Sequence, residues 1–142
     1  MIWLRQELKS QKSTKASFRI VVTHVPPFIE FWDPKTWANG ERHWPAYIRD
    51  KMVPLFEEHQ VDLVLSGHQH NYQRGGRNGV TYVITGGGGG PLDKQRVEDY
   101  GFYQKTIINH HYLHVEIKQQ SIRIKMKLDG GKIGDEFEIL KR

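Results

Sequence analysis

The chain contains no cysteine, which excludes disulfide bonds and metal sites built from thiolates. It also lacks any apolar run near the ~20 residues that a membrane-spanning helix needs. Residues 1–10 are charged and amphipathic, unlike a signal peptide. A chain without cysteine is compatible with either side of a membrane, so the sequence leaves its compartment unknown.

Proline is scarce, with 6 residues, whereas glycine reaches 14, five of them in the single run 86–90. The net charge is +5 without counting eight histidines. A basic balance favours anionic partners such as phosphate esters or nucleic acid and does not choose between them. The sequence shows no nucleic-acid-binding motif, so a basic nucleic-acid-binding domain has only charge and aromatic residues in its favour.

Residues 18–66 predict a βαβ unit. Residues 18–23 form a β-branched run of strand length, and residues 61–66 form a second, buried strand expected to lie parallel to the first. Between them come a long loop, residues 28–43, and a helix, residues 45–59, which Pro54 should kink or divide.

The remaining sequence is rich in predicted strands. Residues 80–85 read as a strand that runs into the glycines, and three later segments alternate apolar and polar residues with turns near 119–120 and 129–131. A short helix is expected over residues 2–8, followed by a surface connection over 9–17. The length of 142 residues predicts one domain, and its fold class is α/β, a βαβ unit followed by antiparallel strands.

Three histidines follow the two predicted parallel strands. His24 comes after the first strand, and His68 and His70 come after the second. Ligands of open α/β sheets bind at the carboxyl ends of strands. Neutral imidazole is the commonest metal-binding side chain, and burying three imidazoles together without a ligand is costly. The alternative is three ordinary histidines beside turns; the matching strand ends favour a metal site.

Two segments carry a family resemblance. Residues 22–26 (VTHVP) and 65–74 (LSGHQHNYQR) resemble the last two motifs of the calcineurin-like metallophosphoesterases, and Tyr72 and Arg74 bring the purple acid phosphatase branch closest. Residues 82–89 (YVITGGGG) resemble the glycine-rich strand end that follows in those enzymes. The resemblance extends from about residue 3 to the end of the chain.

The resemblance implies a fold, a metal site and a reaction. The fold would be half of the family's β-sandwich flanked by helices. His24 and His68 would bind one metal ion and His70 a second, the ions being iron, manganese or zinc. Two such ions would activate a hydroxide for attack on a phosphate monoester or diester. A phosphate ester is therefore the implied substrate.

The family's earlier motifs are missing. The patterns D-x-H, G-D-x-x-D and G-N-H-[DE] do not occur, and the nearest fragment, residues 109–111 (NHH), lacks the glycine and the acid. Residues 1–142 are therefore expected to form a single partial domain, the C-terminal half of a longer enzyme. We expect partial or absent metal, little activity of the chain alone, and self-association through exposed sheet edges. The alternative function is a non-enzymatic metal-binding or interaction module.

Several further residues are candidates for the site. His43 resembles a substrate-contacting histidine of purple acid phosphatases and would be catalytic, or else only a helix-entry residue. Tyr72 and Arg74 could bind substrate or instead form a packed ring and an ion pair. The backbone of Gly87 and Gly88 could bind an oxyanion, although a tight loop beside the metals is the simpler interpretation. Four aromatic residues could form a substrate rim or the small core of a lid: Phe31, Trp32, Trp37 and Trp44.

Overall fold

The structure, a computed structural model, describes all 142 residues and contains two sheets and several short helices. The helices are α1 (Ile2–Lys9), α2 (Gln11–Lys15), α3 (Pro34–Thr36), α4 (His43–Lys51) and α5 (Val53–Glu58), with a π-helical turn at Trp37–Glu41. The strands are β1 (Ile20–Thr23), β2 (Leu63–Ser66), β3 (Tyr72–Arg77), β4 (Val80–Thr85), β5 (Tyr103–Ile107), β6 (His111–Ile117), β7 (Ser121–Leu128) and β8 (Ile133–Leu140).

The first sheet is mixed and has five strands in the order β1-β2-β4-β3-β5. Strands β1, β2 and β4 run parallel, with Val21 opposite Val64 and Val64 opposite Tyr82. Strands β3 and β5 complete the sheet in antiparallel pairings. The predicted βαβ unit is therefore confirmed, since α3, α4 and α5 lie in the crossover from β1 to β2.

The second sheet is a three-stranded antiparallel meander in the order β6-β7-β8. It packs on the first sheet through a core that combines Leu63, Tyr72 and Val83 with Ile122, Ile124 and Met126. A separate core lies between the first sheet and the helices and includes Leu8, Phe28, Phe56 and Tyr82. The molecule is a layered α/β fold, as predicted: helices, a mixed sheet, and an antiparallel sheet.

Proline divides the crossover helix as the sequence indicates. Helix α4 ends at Lys51 and α5 begins at Val53, with Pro54 in the first turn of α5. A proline there loses nothing, because the first N–H groups of a helix have no intrahelical acceptor.

Several elements differ from the prediction. The loop expected over residues 28–43 contains α3 and the π-helical turn, and its last residue begins α4. The segment expected to be only a surface connection contains α2, which begins because the Ser10 side chain accepts a hydrogen bond from the Ser13 N–H. Strands β3 and β5 were not predicted. β3 contains Gly75 and Gly76, which hide its strand pattern, and it turns into β4 at Asn78 and Gly79, both with positive φ.

None of the helices is long and apolar enough to span a membrane.

Candidate metal centre

Two parallel strand ends bring His24 and His68 together. His24 directly follows β1, and His68 lies two residues beyond β2, the neighbouring parallel strand. The N–H of Gly67 donates to the carbonyl of His24 at 3.1 Å, which ties the two connections to each other. The sheet itself therefore places both imidazoles at its carboxyl edge, as the strand-end argument predicts.

The rings of His24 and His68 meet edge to face. Their centroids are 5.0 Å apart, and Nε2 of His24 lies 3.2 Å from Nδ1 of His68. Two nitrogens that each bind one tetrahedral ion at about 2.0–2.1 Å lie roughly 3.3 Å from each other. The observed separation thus fits a shared metal ion as well as a hydrogen bond between the rings.

His68 is held in an unusual conformation. Its φ is +63°, in the left-handed region that costs a non-glycine residue about 1–2 kcal/mol. The indole of Trp32 stacks on the imidazole with centroids 4.5 Å apart and planes 23° apart. Burial, followed by the nearby His24, lowers the pKa of His68 below its ordinary value, which favours the neutral, metal-binding form of the ring.

His70 is oriented by two hydrogen bonds. Its N–H donates to the Asp93 carboxylate at 2.7 Å, and its Nδ1 lies 2.8 Å from the carbonyl of Pro91. A carbonyl only accepts, so Nδ1 carries the proton and Nε2 keeps its lone pair for a ligand. Gly90 packs closely here: a Cβ on it would lie 2.8 Å from the His70 ring, so the ring would have to move. The glycine run therefore packs directly on one predicted ligand.

The ligand set is incomplete in this structure. No group of three or more histidine, cysteine, aspartate or glutamate side chains is arranged to hold a metal ion. His24 and His68 fit one ion in part, as two imidazoles at a suitable spacing, and the lone pair of His70 is available for another contact. The metal assignments of His24, His68 and His70 therefore stay predictions.

Tyr72 and Arg74 meet the second sheet. The Tyr72 ring is fully buried, and its hydroxyl donates to Asp135 on β8 at 2.7 Å. Arg74 donates to the same carboxylate at 2.6 and 3.3 Å and lies over the Phe137 ring. Burial, and then the bond to Asp135, raise the pKa of Tyr72. These contacts are those of the alternative, a packed ring and an ion pair, while substrate binding by either residue stays a prediction.

Gly87 and Gly88 lie near two other histidines, His110 and His111. A Cβ on Gly87 would overlap the ring of His111, and the backbone N–H of His111 donates to the Gly87 carbonyl at 2.9 Å. Gly88 has open space around its Cα. Oxyanion binding by this backbone stays a prediction.

His43 is the first residue of α4, and its exposed ring makes an edge contact with Trp44 at 6.1 Å. It makes no hydrogen bond to the histidine pair. The helix-entry position agrees with the structural alternative, and the catalytic role stays a prediction.

Sequence reasoning missed the residues that support the histidines. Gln69 and Glu30 are fully buried, and the Gln69 side chain accepts a hydrogen bond from the backbone N–H of Glu30. The Asp93 carboxylate accepts one from the backbone N–H of His70. Gln69 stands between the two histidines of the motif and was the one available signal. Glu30 and Asp93 lie in loops where nothing in the pattern distinguishes them from solvated acids.

Comparisons with known proteins identify the family. A family model described as calcineurin-like phosphoesterase matches residues 1–72, which include all three histidines. The chain is 30% identical over 119 residues to a nucleotide pyrophosphatase/phosphodiesterase of Hordeum vulgare, covering 64% of this chain and 30% of that protein. It is 30% identical over 121 residues to probable inactive purple acid phosphatase 1 of Arabidopsis thaliana, covering 66% and 18%.

A solved structure shares the fold. The purple acid phosphatase PPD1 from yellow lupin (Lupinus luteus) seeds superposes with a TM-score of 0.79 at 18% identity, over 98% of this chain and 28% of that one. The chain thus spans less than a third of the length of each of these proteins. With its histidine motifs, its layered sheets and a family match over half its length, the chain belongs to the calcineurin-like phosphoesterase family.

Proposed function

We propose that this chain supplies the histidine ligands of a two-metal phosphoester hydrolase. His24 and His68 bind one ion together, and His70 binds the second through Nε2. The observation that carries the proposal is the 3.2 Å separation of the His24 and His68 ring nitrogens at the carboxyl edge of the sheet.

The chain's own residues prepare the site for metal and substrate. The depressed pKa of His68 keeps its imidazole neutral near pH 7, so an ion does not have to displace a proton from that ring. The Pro91 carbonyl fixes the tautomer of His70. When bound, the ions would supply Lewis-acid activation of water and of the phosphoryl group. The basic balance of the chain favours approach of an anionic ester.

The substrate is a phosphate monoester or diester. The barley relative's name points to phosphodiesters and pyrophosphates, and the lupin structure's title to a phosphatase. Both chemistries transfer a phosphoryl centre to water, which is the step that a pair of ions promotes.

Metal titration tests the ligand assignment. We expect cobalt(II), followed by its visible absorption, to bind the chain with a dissociation constant that rises at least about tenfold in His24→Ala and in His68→Ala. His114→Ala is the matched control, since that histidine is exposed on β6 and far along the chain from the motifs. Equal affinity of all four proteins would refute the proposed ligands.

Hydrolysis is measured separately with p-nitrophenyl phosphate in the presence of manganese, zinc or iron. Turnover that disappears in His68→Ala supports the enzyme. Since little activity is expected of the chain alone, metal binding without turnover agrees both with the hydrolase and with the second candidate, a non-enzymatic metal-binding or interaction module.

Two observations favour that second candidate. The structure has no group of three ligands arranged for a metal ion, and one similar plant protein is named probable inactive purple acid phosphatase 1. A module of this kind would use the same histidines for structural rather than catalytic metal, or would leave them metal-free.

A further inference from the structure

A buried carboxamide lies at the centre of the histidine motif. Gln69 stands between His68 and His70 and is completely inaccessible to solvent. Its Oε1 accepts hydrogen bonds from the backbone N–H groups of Glu30 and Phe31 at 2.9 and 3.0 Å. Its Nε2 donates to Asn71 at 2.6 Å and to Gln73 at 2.8 Å. Every hydrogen-bonding position of the amide is therefore used.

The segment that Gln69 holds leads directly to the metal centre. Trp32 follows Phe31, and its indole is the ring that stacks on His68. The Trp32 N–H donates to the carbonyl of Gln95 at 3.0 Å, and the indole Nε1 donates to Glu41 at 2.6 Å. Trp32 is thus held through its backbone by Gln95 and through its indole by Glu41, and the Gln69 amide binds the backbone of the two residues before it.

The imidazole of His68 needs such support. A positive φ at a histidine persists only where its surroundings determine it. The His68 ring stacks on the Trp32 indole and meets the His24 ring edge to face. The ring orientation that brings Nδ1 toward His24 therefore depends on where Trp32 is held.

We propose that Gln69 is a positioning residue, whose carboxamide holds residues 30–32 so that the Trp32 indole fixes the His68 ring beside His24. The inference rests on the proposed function for the statement that His68 binds metal. Glutamine suits the task because a single side chain must accept from two N–H groups and donate to two oxygens. A glutamate would only accept and would add a charge beside the buried Glu30 carboxylate, whose oxygen takes a bond from Gln73 at 2.9 Å.

Gln69→Met, with Gln73→Met as its control, tests the proposal. The two glutamines are equally buried and share one network, but Gln73 bonds the side chains of Glu30 and Thr106 and leaves the backbone N–H groups of residues 30 and 31 to Gln69. Both variants should lose similar thermal stability by circular dichroism.

The decisive readout is the position of the His68 ring protons in the NMR spectrum of the metal-free chain. A stacked indole shifts these protons upfield in the wild type. We expect Gln69→Met to move them toward the values of an unstacked histidine and to weaken cobalt(II) binding about tenfold. Gln73→Met should keep both properties. Unchanged His68 protons in Gln69→Met, or equal changes in the two variants, would overturn the proposal.

A surface substitution covers the case in which Gln69→Met does not fold. Trp32→Leu removes the stacking ring without disturbing the buried amide and should weaken cobalt(II) binding to the same extent. Trp32→Phe keeps an aromatic ring and should bind cobalt(II) like the wild type. Wild-type affinity in Trp32→Leu would also overturn the proposal. Since the ring-proton readout needs no metal, a chain that binds no cobalt but loses its shifted His68 signals in Gln69→Met refutes the proposed function and supports the positioning role.

Discussion

Tyr72 and Arg74 show how a motif residue can serve the fold next to the site. Both side chains project from β3 toward the second sheet and donate hydrogen bonds to the same carboxylate, that of Asp135 on β8. Burial pushes the pKa of Asp135 upward, but the bonds from Arg74 and Tyr72 bring it below its ordinary value. The charged form of Asp135 is therefore favoured by folding, and this contribution to stability is lost as the pH falls below about 4.

Asp135→Asn should therefore destabilise the protein. We expect a loss of about 2 kcal/mol in the free energy of unfolding, because a hydrogen-bonded charge is removed and the guanidinium of Arg74 stays half-buried without a charged partner. Urea denaturation at pH 7 measures the loss. Glu136→Gln is the control, since its ion pair with Lys125 is on the surface and should contribute less than about 1 kcal/mol. Equal effects would contradict a special role for Asp135.

His111 predicts a pH dependence. Burial, with a smaller contribution from His110, lowers the pKa of His111, and its hydrogen bond to the Asn109 carbonyl offsets only part of the shift. Protonation is then easier in the unfolded chain than in the folded one, so stability is intact above pH ~6.5 and falls as the pH drops below it. The free energy of unfolding, measured by urea denaturation, should fall less between pH 7 and pH 5 in His111→Gln than in the wild type. His114→Gln, on the exposed face of β6, should behave as the wild type.

At the scale of elements, the strands with a clear pattern of apolar residues could be predicted from the sequence. The strands at 20–23, 63–66 and 80–85 and the meander carry dense β-branched or alternating patterns, and all of them appear. Strand β3 has a polar and glycine-rich sequence, so only its pairing with β4 and β5 defines it. The histidines could be predicted because strand ends converge. The contacts that link Gln69 to Trp32 could not, because residues 30–32 lie in a loop without periodicity.

The bulge between β3 and β5 provides a test of this packing. A Cβ on Gly75 would overlap the backbone carbonyl of Phe102, whereas one on Gly76 would meet nothing within 4 Å. We expect Gly75→Ala to lower the free energy of unfolding by about 1–3 kcal/mol. Gly76→Ala should be neutral or slightly stabilising, because alanine restricts the unfolded chain. Thermal denaturation of the pair measures the difference, and similar melting temperatures would contradict the close approach.

For the whole molecule, the outer edge of β1 is an exposed apolar region. Strand β1 pairs only with β2, and Val22 and Trp3 beside it are 76% and 70% exposed. Unpaired strand edges with apolar side chains promote association, which supports the predicted self-association.

We expect the chain to self-associate as its concentration rises, and Val22→Lys to shift it toward the monomer. Sedimentation velocity measures the distribution. Trp44→Lys is the control, since Trp44 is 65% exposed on α4, away from the strand edge. A wild-type chain that stays monomeric at all concentrations would contradict the prediction.

The distance along the chain between β1 and β2 also has a kinetic consequence. These strands are direct neighbours in the sheet, yet residues 24–62 separate them, whereas β6, β7 and β8 are joined by short turns. Folding is slow where the chain must lose the entropy of a long connection before the strands that it joins can make contact. The meander can form early from local pairings, and the edge that carries His24 must wait for β2. During refolding, the histidine pair should therefore assemble among the last features of the molecule.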